Sequence, residues 1–210
     1  MSDRFIIPKG GVPNYQPLMD GDSVYFRHCK NSSEYISKSY HNVLAELQMN
    51  SHYYEMIWTQ SKRRFYIDLD GIKKNNTLVK ELDITYADTV ILANQLTAFL
   101  RLKYHYDDDI TYRIQPSFNK LEPIPNTFRS VHIVFDIACQ THFEMNQAMW
   151  DFVKMKYKYS EHIDMRIYTR NRIFRTVNQG KERDGLSPAR KDVIVPIGLV
   201  NTIQIIIIYL

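Results

Sequence analysis

Two kinds of apolar spacing alternate along this chain, and the alternation restricts the possible folds more than any other feature. In three segments, apolar residues recur at every third or fourth position, which is typical of helices that pack one face on a core. The stretches between them are short and are predicted to be strands. Three helices are predicted: one that begins after Ser33, one that begins after Thr85 and one from Phe143 to Tyr157. The predicted strands are Ser23 to Arg27, Tyr53 to Thr59, Arg63 to Asp68, Ile110 to Gln115, Val131 to Phe135 and Arg172 to Val177. This succession predicts an α+β domain with mixed or antiparallel sheets and flanking helices.

Capping residues and polar turns indicate where individual elements begin and end. Ser33 is predicted to be the N-cap of the first helix, and Thr85 with Asp88 three residues later resembles the capping box of the second. The apolar face of the first helix would carry Tyr35, Ile36, Tyr40, Val43, Leu44 and Leu47. The polar residues 60–62 predict a hairpin between the strands on either side, and the loop from Pro116 to Pro125 is predicted to join the two strands that flank it.

The composition indicates one compact unit with a mild preference for anionic partners. The chain has 210 residues, of which 44% are hydrophobic and 13% aromatic, enough for one domain or a bilobed domain. Its formal net charge of +4 is far from that of a histone-like polycation. The two cysteines, Cys29 and Cys139, lie far apart, which excludes a disulfide framework or a Cys-x-x-Cys zinc module within this chain and favours a reduced, intracellular setting.

No segment has the pattern of a secretion signal or a membrane span. The longest apolar run, Ile205 to Leu210, is far below the roughly 20 residues that a spanning helix needs. The sequence therefore predicts a soluble protein without a membrane partner. Because the chain stops within this strand-like run, it is expected to be part of a longer polypeptide.

The strongest local signal is an apolar strand that ends in two acids. Side chains alternate along a strand, so Asp68 and Asp70 are predicted to project to one face. Two carboxylates a few ångströms apart repel each other, and hard oxygen ligands of this kind are preferred by Mg²⁺ and Mn²⁺. The alternative is a solvated strand end that leads into a turn at Gly71, because a bare Asp-x-Asp pattern is common.

A second signal is the apolar strand Val131 to Phe135, with Ser130 directly before it. Alternation places Ser130 and His132 on one side of this strand. A histidine at such a position is either a ligand-contacting residue or a hydrogen-bonded core histidine, and the spacing does not decide between them.

A third signal is the basic run from Asp164 to Arg175, which Lys181 follows. Four arginines and this lysine are mixed with aromatic residues, and the alternation around Arg172 indicates a largely buried strand. Buried cations need anionic partners, and a triphosphate is a natural partner for guanidinium groups. A solvated basic face or a structural network of ion pairs is the alternative.

In this order, the three segments resemble the motifs of the archaeo-eukaryotic primase superfamily: an acid-x-acid pair at a strand end, a Ser-x-His strand and a third acid. The run Asp164 to Arg175, with Tyr-Thr-Arg-Asn-Arg and Phe-Arg within it, is similar more narrowly to the eukaryotic primase-polymerases (PrimPol) and their viral relatives. The stretch His52 to Ile57 resembles the same branch, so the likeness extends from about Asp22 to Lys181.

The resemblance implies a fold, a reaction and partners. It implies a primase catalytic core with an N-terminal αβ module at about 1–60 and an RRM-like catalytic module at about 61–210. Such a domain joins NTPs or dNTPs on a single-stranded DNA template by in-line displacement at the α-phosphate, with Mg²⁺ or Mn²⁺. A fused or associated helicase is a further implied partner, and the implied setting is intracellular: nucleus, mitochondrion or viral replication site.

The motif positions also imply roles for single residues. Asp68, Asp70 and Asp164 match the acids that hold one or two divalent ions. The other matched positions contact the incoming nucleotide: its phosphates through Ser130, His132, Arg172, Arg175 and Lys181, and its sugar through Tyr54.

This chain departs from the family pattern at two points. Val131 stands where the closest relatives often have a basic residue, and Arg129 just upstream is the candidate to replace it. Arg172 and Arg175 are three positions apart, so both reach one ligand only if the strand ends or bulges between them.

Two other classes of function stay open from the residues alone. The same fold would serve a non-catalytic replication-initiation module that binds single-stranded nucleic acid. Paired carboxylates and a histidine also serve metal-dependent nucleases. Four cations flank the acid pair, and they either contact a template or are simply solvated: Arg63, Arg64, Lys73 and Lys74.

Overall fold

In the part of the chain that the computed structural model describes, strands dominate and two α-helices lie between them. The structure describes residues 3–6, 24–28, 34–39, 53–57, 63–105, 110–119, 123–139, 142–168, 172–175 and 192–194. The strands are β1 (Asp3–Ile6), β2 (Val24–His28), β3 (Glu34–Ser39), β4 (Tyr53–Ile57), β5 (Arg63–Leu69), β6 (Ile72–Lys74), β7 (Thr77–Lys80), β8 (Ile84–Thr85), β9 (Tyr112–Asn119), β10 (Thr127–Phe128), β11 (Val131–Cys139), β12 (Arg172–Arg175) and β13 (Asp192–Ile194). The helices are α1 (Tyr86–Tyr104) and α2 (His142–Lys154), and Ser160–His162 and Met165–Ile167 form short 3₁₀ turns. The predicted α+β class is therefore confirmed.

A four-stranded antiparallel sheet in the order β13-β9-β11-β5 carries the candidate site. Helix α1 lies between β5 and β9 in the chain, and these two parallel strands have β11 between them in the sheet. Helix α2 follows β11, and the chain enters this sheet again as β13, on the far side of β9, after contributing β12 to the other sheet. The first connection is therefore a split βαβ unit, and the second has the same strand order with β12 inserted. In the described part of this sheet, β5 is an edge strand.

One face of this sheet forms the hydrophobic core with the helices. Phe65, Ile67 and Leu69 of β5 are fully buried, as are their neighbours Ile133 and Phe135 on β11. Burial of side chains of this size contributes about 1.5–3 kcal/mol each. The opposite face carries the intervening residues of the same strands, where Tyr66 and Val134 are also buried and Asp68 and His132 belong to the candidate site.

Helix α1 begins where the capping pattern predicts. The Thr85 hydroxyl accepts a hydrogen bond from the backbone N–H of Asp88 at 3.0 Å. The helix ends at His105, whose left-handed backbone (φ 53°) places its N–H against the carbonyl of Arg101. Residues four apart, Leu92, Leu96 and Leu100, face the core. Phe99 meets Phe152 of α2 with ring centroids 5.5 Å apart, so the two helices pack side by side.

The second sheet is also antiparallel and has the order β1-β3-β2-β4-β12. Its first four strands come from the N-terminal residues, and β12 completes it from the C-terminal part of the chain. Phe174 of β12 packs against Tyr66 of β5, with ring centroids 4.8 Å apart, so the two sheets meet beside the candidate site. The module boundary near residue 60 stays a prediction.

Two local predictions are wrong in this region. Glu34–Ser39, the start of the predicted first helix, is strand β3, because its backbone pairs with β1 on one side and β2 on the other. The rest of that helix lies outside the described residues. The predicted hairpin around residues 60–62 does not pair its strands: β4 lies between β2 and β12, whereas β5 pairs with β11 in the other sheet.

One further boundary differs from the prediction, and one hairpin was not predicted. The loop predicted from Pro116 begins later, because β9 continues through Asn119 and pairs with β13. After the acid pair, β6 and β7 form a hairpin whose turn residues, Asn75 and Asn76, have positive φ values of 49° and 63°, as a two-residue type I′ turn requires.

Candidate active site

The two acids of the first motif lie at the end of β5, as predicted. Asp68 is in the strand, Asp70 follows it directly, and their side chains are 19% and 28% exposed. Asp70 Oδ1 accepts a hydrogen bond from the backbone N–H of Gly71 at 2.8 Å, and Lys73 Nζ lies 3.7 Å from Oδ2. A β-carbon at Gly71 would lie 3.2 Å from the Lys80 backbone carbonyl and 2.5 Å from Leu78 Cδ1, so a side chain in the turn after the acids would require the exposed Leu78 side chain to move aside.

The third acid docks on the outer edge of β5, beside the first two. The backbone N–H of Asp164 donates to the carbonyl of Asp68 at 2.8 Å, and the N–H of Asp70 donates to the carbonyl of His162 at 3.0 Å. Leu69 and Ile163 form the bridge between them. An edge strand presents backbone groups that need partners. The segment 162–164 supplies those partners, and this pairing brings the third motif to the first.

Two buried tyrosines hold the next turn of this segment against β5. The Tyr168 hydroxyl donates to the carbonyl of Tyr66 at 2.8 Å, and the Tyr66 hydroxyl donates to the carbonyl of Ile167 at 3.3 Å. The ring centroids lie 5.8 Å apart. Between these anchors, Asp164 caps the 3₁₀ turn Met165–Ile167. Hydrogen bonds therefore fix Asp164 both at its backbone N–H and at its carboxylate.

Arg166 forms a bidentate ion pair with Asp164. Arg166 Nε lies 2.7 Å from Oδ1 and Nη2 lies 2.8 Å from Oδ2, while the Arg166 backbone N–H also donates to Oδ1 at 3.0 Å. These hydrogen bonds and the charge of Asp164 raise the pKa of Arg166, and the charges of Asp70 and Asp68 raise it further. The negative charges of all three acids therefore stabilise the charged form of one guanidinium group.

His132 of the second motif lies directly across the sheet from Asp68. The two residues are register partners on β11 and β5, with His132 Nε2 at 3.6 Å from Asp68 Oδ1. The His132 side chain is 3% exposed, and its ring lies over Phe174 with centroids 4.2 Å apart and planes inclined by 32°. The first two motifs thus meet by strand pairing, and Phe174 fixes the imidazole from the side of β12.

The remaining predicted nucleotide-binding residues fall into separate groups. Tyr54 and Arg175 are both half-buried and are register partners on β4 and β12. Arg172 begins β12, and the register runs without a bulge to Arg175, so these two positions have opposite parity in the strand. The condition for both to reach one ligand from within the strand is therefore not met.

Ser130 and Arg129 precede β11. Ser130 is half-buried, and its carbonyl accepts a hydrogen bond from the N–H of Ser117 at 2.9 Å. Arg129 is 77% exposed at its side chain and pairs with Glu81, Nη1 lying 3.2 Å from Oε2. Arg129 is thus engaged in a surface ion pair. Lys181 lies outside the described residues.

Sequence reasoning missed the parts of the site that depend on distant contacts. Arg166 belongs to the basic run but received no role, because the sequence shows only that it stands two residues after Asp164 and the cap at Asp164 comes from the structure. Tyr66 carried no signal beyond apolar alternation, and Tyr168 and Phe174 belonged to the motif resemblance without a role of their own.

Carboxylates are the donors that Mg²⁺ and Mn²⁺ prefer, so the three acids fit such an ion in their chemistry. Within the ranges that the structure describes, no group of three His, Cys, Asp or Glu side chains is arranged to hold a metal ion. The arrangement differs from a metal site in that both oxygens of Asp164 contact Arg166.

No protein-family model matches the chain, and no curated protein matches it in sequence. Among the described residues, no helix is both long enough and apolar enough to cross a membrane. The inferences below therefore depend on the geometry of the site and on the motif resemblance.

Proposed function

We propose that this chain is the catalytic domain of a template-directed DNA primase-polymerase, which joins NTPs or dNTPs on single-stranded DNA. The observation that carries the proposal is the docking of the third acid on the first motif, with Asp164 N–H bonded to the carbonyl of Asp68 at 2.8 Å. This backbone pairing brings the segment of the third acid beside the first two, next to His132, and the proposal is that the three carboxylates converge on a metal ion there. A two-metal nucleotidyl transfer needs such a convergence.

In this proposal Asp68, Asp70 and Asp164 hold Mg²⁺ or Mn²⁺. The ions, when bound, supply charge neutralisation at the triphosphate and activation of the attacking 3′-hydroxyl. The finer assignment of the fold, a primase core with an RRM-like module, is part of the same proposal. The succession β5-α1-β9-β11-α2-β13, with its split βαβ unit and with β12 inserted before β13, favours that assignment.

The protein's own groups then bind and orient the nucleotide. His132 is held by Phe174 and faces Asp68, so it is positioned to donate to a phosphate oxygen beside the acids. Arg175 follows Phe174 in β12 and lies opposite Tyr54 of β4. This position suits a contact from Arg175 to the triphosphate and a contact from Tyr54 to the sugar. Ser130 and Lys181 complete the proposed nucleotide site on the strength of the motif resemblance. Arg172 shares that resemblance, but its position in β12 has the opposite parity to that of Arg175, so Arg175 is the arginine proposed to contact the triphosphate from within the strand.

One observation favours a second candidate, a non-catalytic module that binds single-stranded nucleic acid. The ion pair between Arg166 and Asp164 neutralises the third acid internally, as a site without a metal ion would require. The two candidates differ in one measurable property, since only the enzyme incorporates nucleotides in a metal-dependent reaction.

The decisive experiment is primer extension on single-stranded DNA with Mg²⁺ or Mn²⁺. We expect Asp68→Asn to reduce the rate by ~10² to 10³ or more, the scale seen when a central electrostatic group is removed. The matched control is Asp151→Asn, because Asp151 lies on α2 in an ion pair with Lys103, away from the site. Circular dichroism checks that both variants fold.

Three outcomes separate the candidates. Extension that Asp68→Asn abolishes and Asp151→Asn retains supports the polymerase. DNA binding without extension supports the non-catalytic module. Shortening of a labelled single strand in Mn²⁺ identifies a nuclease, and extension by Asp68→Asn at the wild-type rate contradicts the role given to the acids.

A further inference from the structure

Asp164 would coordinate a metal ion through the same two carboxylate oxygens that now form the ion pair with Arg166. Both carboxylate oxygens of Asp164 accept hydrogen bonds from the guanidinium group, at 2.7 and 2.8 Å. The Asp164 side chain is only 13% exposed, whereas the Arg166 side chain is 59% exposed. The acid is thus largely withdrawn from water, and its cation approaches from the solvent side.

A divalent ion and this guanidinium group compete for Asp164. Oδ1 accepts hydrogen bonds from Arg166 Nε and from the Arg166 backbone N–H, and Oδ2 accepts one from Nη2. Bidentate coordination of a metal ion would need lone pairs that Arg166 now occupies, and two cations at that distance repel each other. The main chain of the turn can stay in place, because the hydroxyls of Tyr66 and Tyr168 hold it independently of the Arg166 side chain. Only the exposed side chain has to move.

We propose that Arg166 is a built-in counter-ion that a divalent metal must displace from Asp164, so that this arginine sets the metal concentration at which the site fills. The inference rests on the proposed function, because it takes the three acids as the metal site. Without metal, Arg166 reduces the repulsion among the acids. With metal, its displacement opposes binding, which makes the metal affinity of the wild-type protein weaker than the carboxylates alone would give.

The test measures Mn²⁺ binding to the full chain directly, by titration with the electron paramagnetic resonance signal of free Mn²⁺ and by calorimetry. We expect Arg166→Gln to bind Mn²⁺ about tenfold more tightly than the wild type, which corresponds to about 1.4 kcal/mol. Arg166→Lys keeps the charge but loses the bidentate geometry, so it should lie between the two. It also serves as the second variant should Arg166→Gln fold poorly.

The matched control is Lys103→Gln, which removes one positive charge from an ion pair with Asp151 between the two helices. Its Mn²⁺ affinity should equal that of the wild type. In the double variant with Asp164→Asn and Arg166→Gln, the gain in affinity should disappear. A thermal melt adds an independent measurement: without metal, Arg166→Gln should melt below the wild type, and Mn²⁺ should raise its melting temperature more.

Failure of this inference differs from failure of the proposed function. If the wild type and Arg166→Gln bind Mn²⁺ equally, the counter-ion role is wrong while the metal site stands. If Lys103→Gln gains as much as Arg166→Gln, the effect is one of net charge and the inference is again wrong. If no variant binds Mn²⁺, both the inference and the metal-dependent function are contradicted.

Discussion

Removal of the Tyr168 hydroxyl should loosen the segment that carries the third acid while leaving its packing intact. Tyr168→Phe keeps the aromatic ring, which is 3% exposed and lies beside Tyr66, but deletes the 2.8 Å hydrogen bond to the Tyr66 carbonyl. That carbonyl belongs to an edge strand in a buried environment, and an unsatisfied buried acceptor costs about 1–3 kcal/mol. We expect the free energy of unfolding to fall by about 1–2 kcal/mol.

Tyr66→Phe provides the matched comparison, since it deletes the opposite bond of the same tyrosine pair. That bond, to the Ile167 carbonyl, is longer at 3.3 Å, so its loss should cost about half as much, roughly 0.5–1 kcal/mol. Urea denaturation with linear extrapolation measures both values. A change of 1 kcal/mol should also move the melting temperature by about 2–4 °C for a chain of this size.

The effect on Asp164 gives the same pair of variants a second measurement. If the tyrosines position the third acid, Tyr168→Phe should weaken Mn²⁺ binding more than Tyr66→Phe does, because it removes the shorter of the two hydrogen bonds. A larger loss of stability in Tyr66→Phe, or unchanged Mn²⁺ binding in Tyr168→Phe despite a clear loss of stability, would refute this reasoning.

Two further predictions concern the approach to the site. Gly71→Ala should reduce stability and primer extension, because its β-carbon would lie 2.5 Å from Leu78 Cδ1 and 3.2 Å from the Lys80 carbonyl; adding Leu78→Ala should restore part of the stability, and an unaltered melting temperature in the single variant would contradict the close approach. Thr85→Ala should cost about 1 kcal/mol through loss of the α1 N-cap. The hydroxyl accepts from Asp88 N–H at 3.0 Å, so Thr85→Ser should recover most of that stability in a thermal melt.

The features that the sequence predicted correctly depend on neighbouring residues. The Thr85 cap and the strand that ends at the first acid pair each follow from a few consecutive positions. Glu34–Ser39 shows the limit of this reasoning, because the spacing of Tyr35, Ile36 and later apolar residues fits a helix. The segment is a strand because β1 and β2 pair with it on both sides, and tertiary pairing overrides such spacing.

The missing parts of the site were out of reach for a different reason. The hydrogen bond from Asp164 to Asp68 joins segments whose proximity depends on β5 being an edge strand, and sheet order cannot be read from local spacing. The motif resemblance supplied the expectation that the acids converge. It did not identify Arg166 as the partner of Asp164, because that ion pair depends on the 3₁₀ turn that places the two side chains together.

The burial of the acids bears on the alternative interpretation of Asp-x-Asp as a solvated strand end. A solvated end would leave the carboxylates in water, but the side chains of Asp68 and Asp70 are only 19% and 28% exposed, and that of the neighbouring Asp164 is 13% exposed. Carboxylates withdrawn from water are costly unless cations compensate them. In the present structure Arg166 performs that role at Asp164. The Arg166 side chain is largely exposed, so under the proposed function a divalent ion would replace it without disturbing the edge of β5. The carboxylates that require a counter-ion for stability would then be the ligands of that ion.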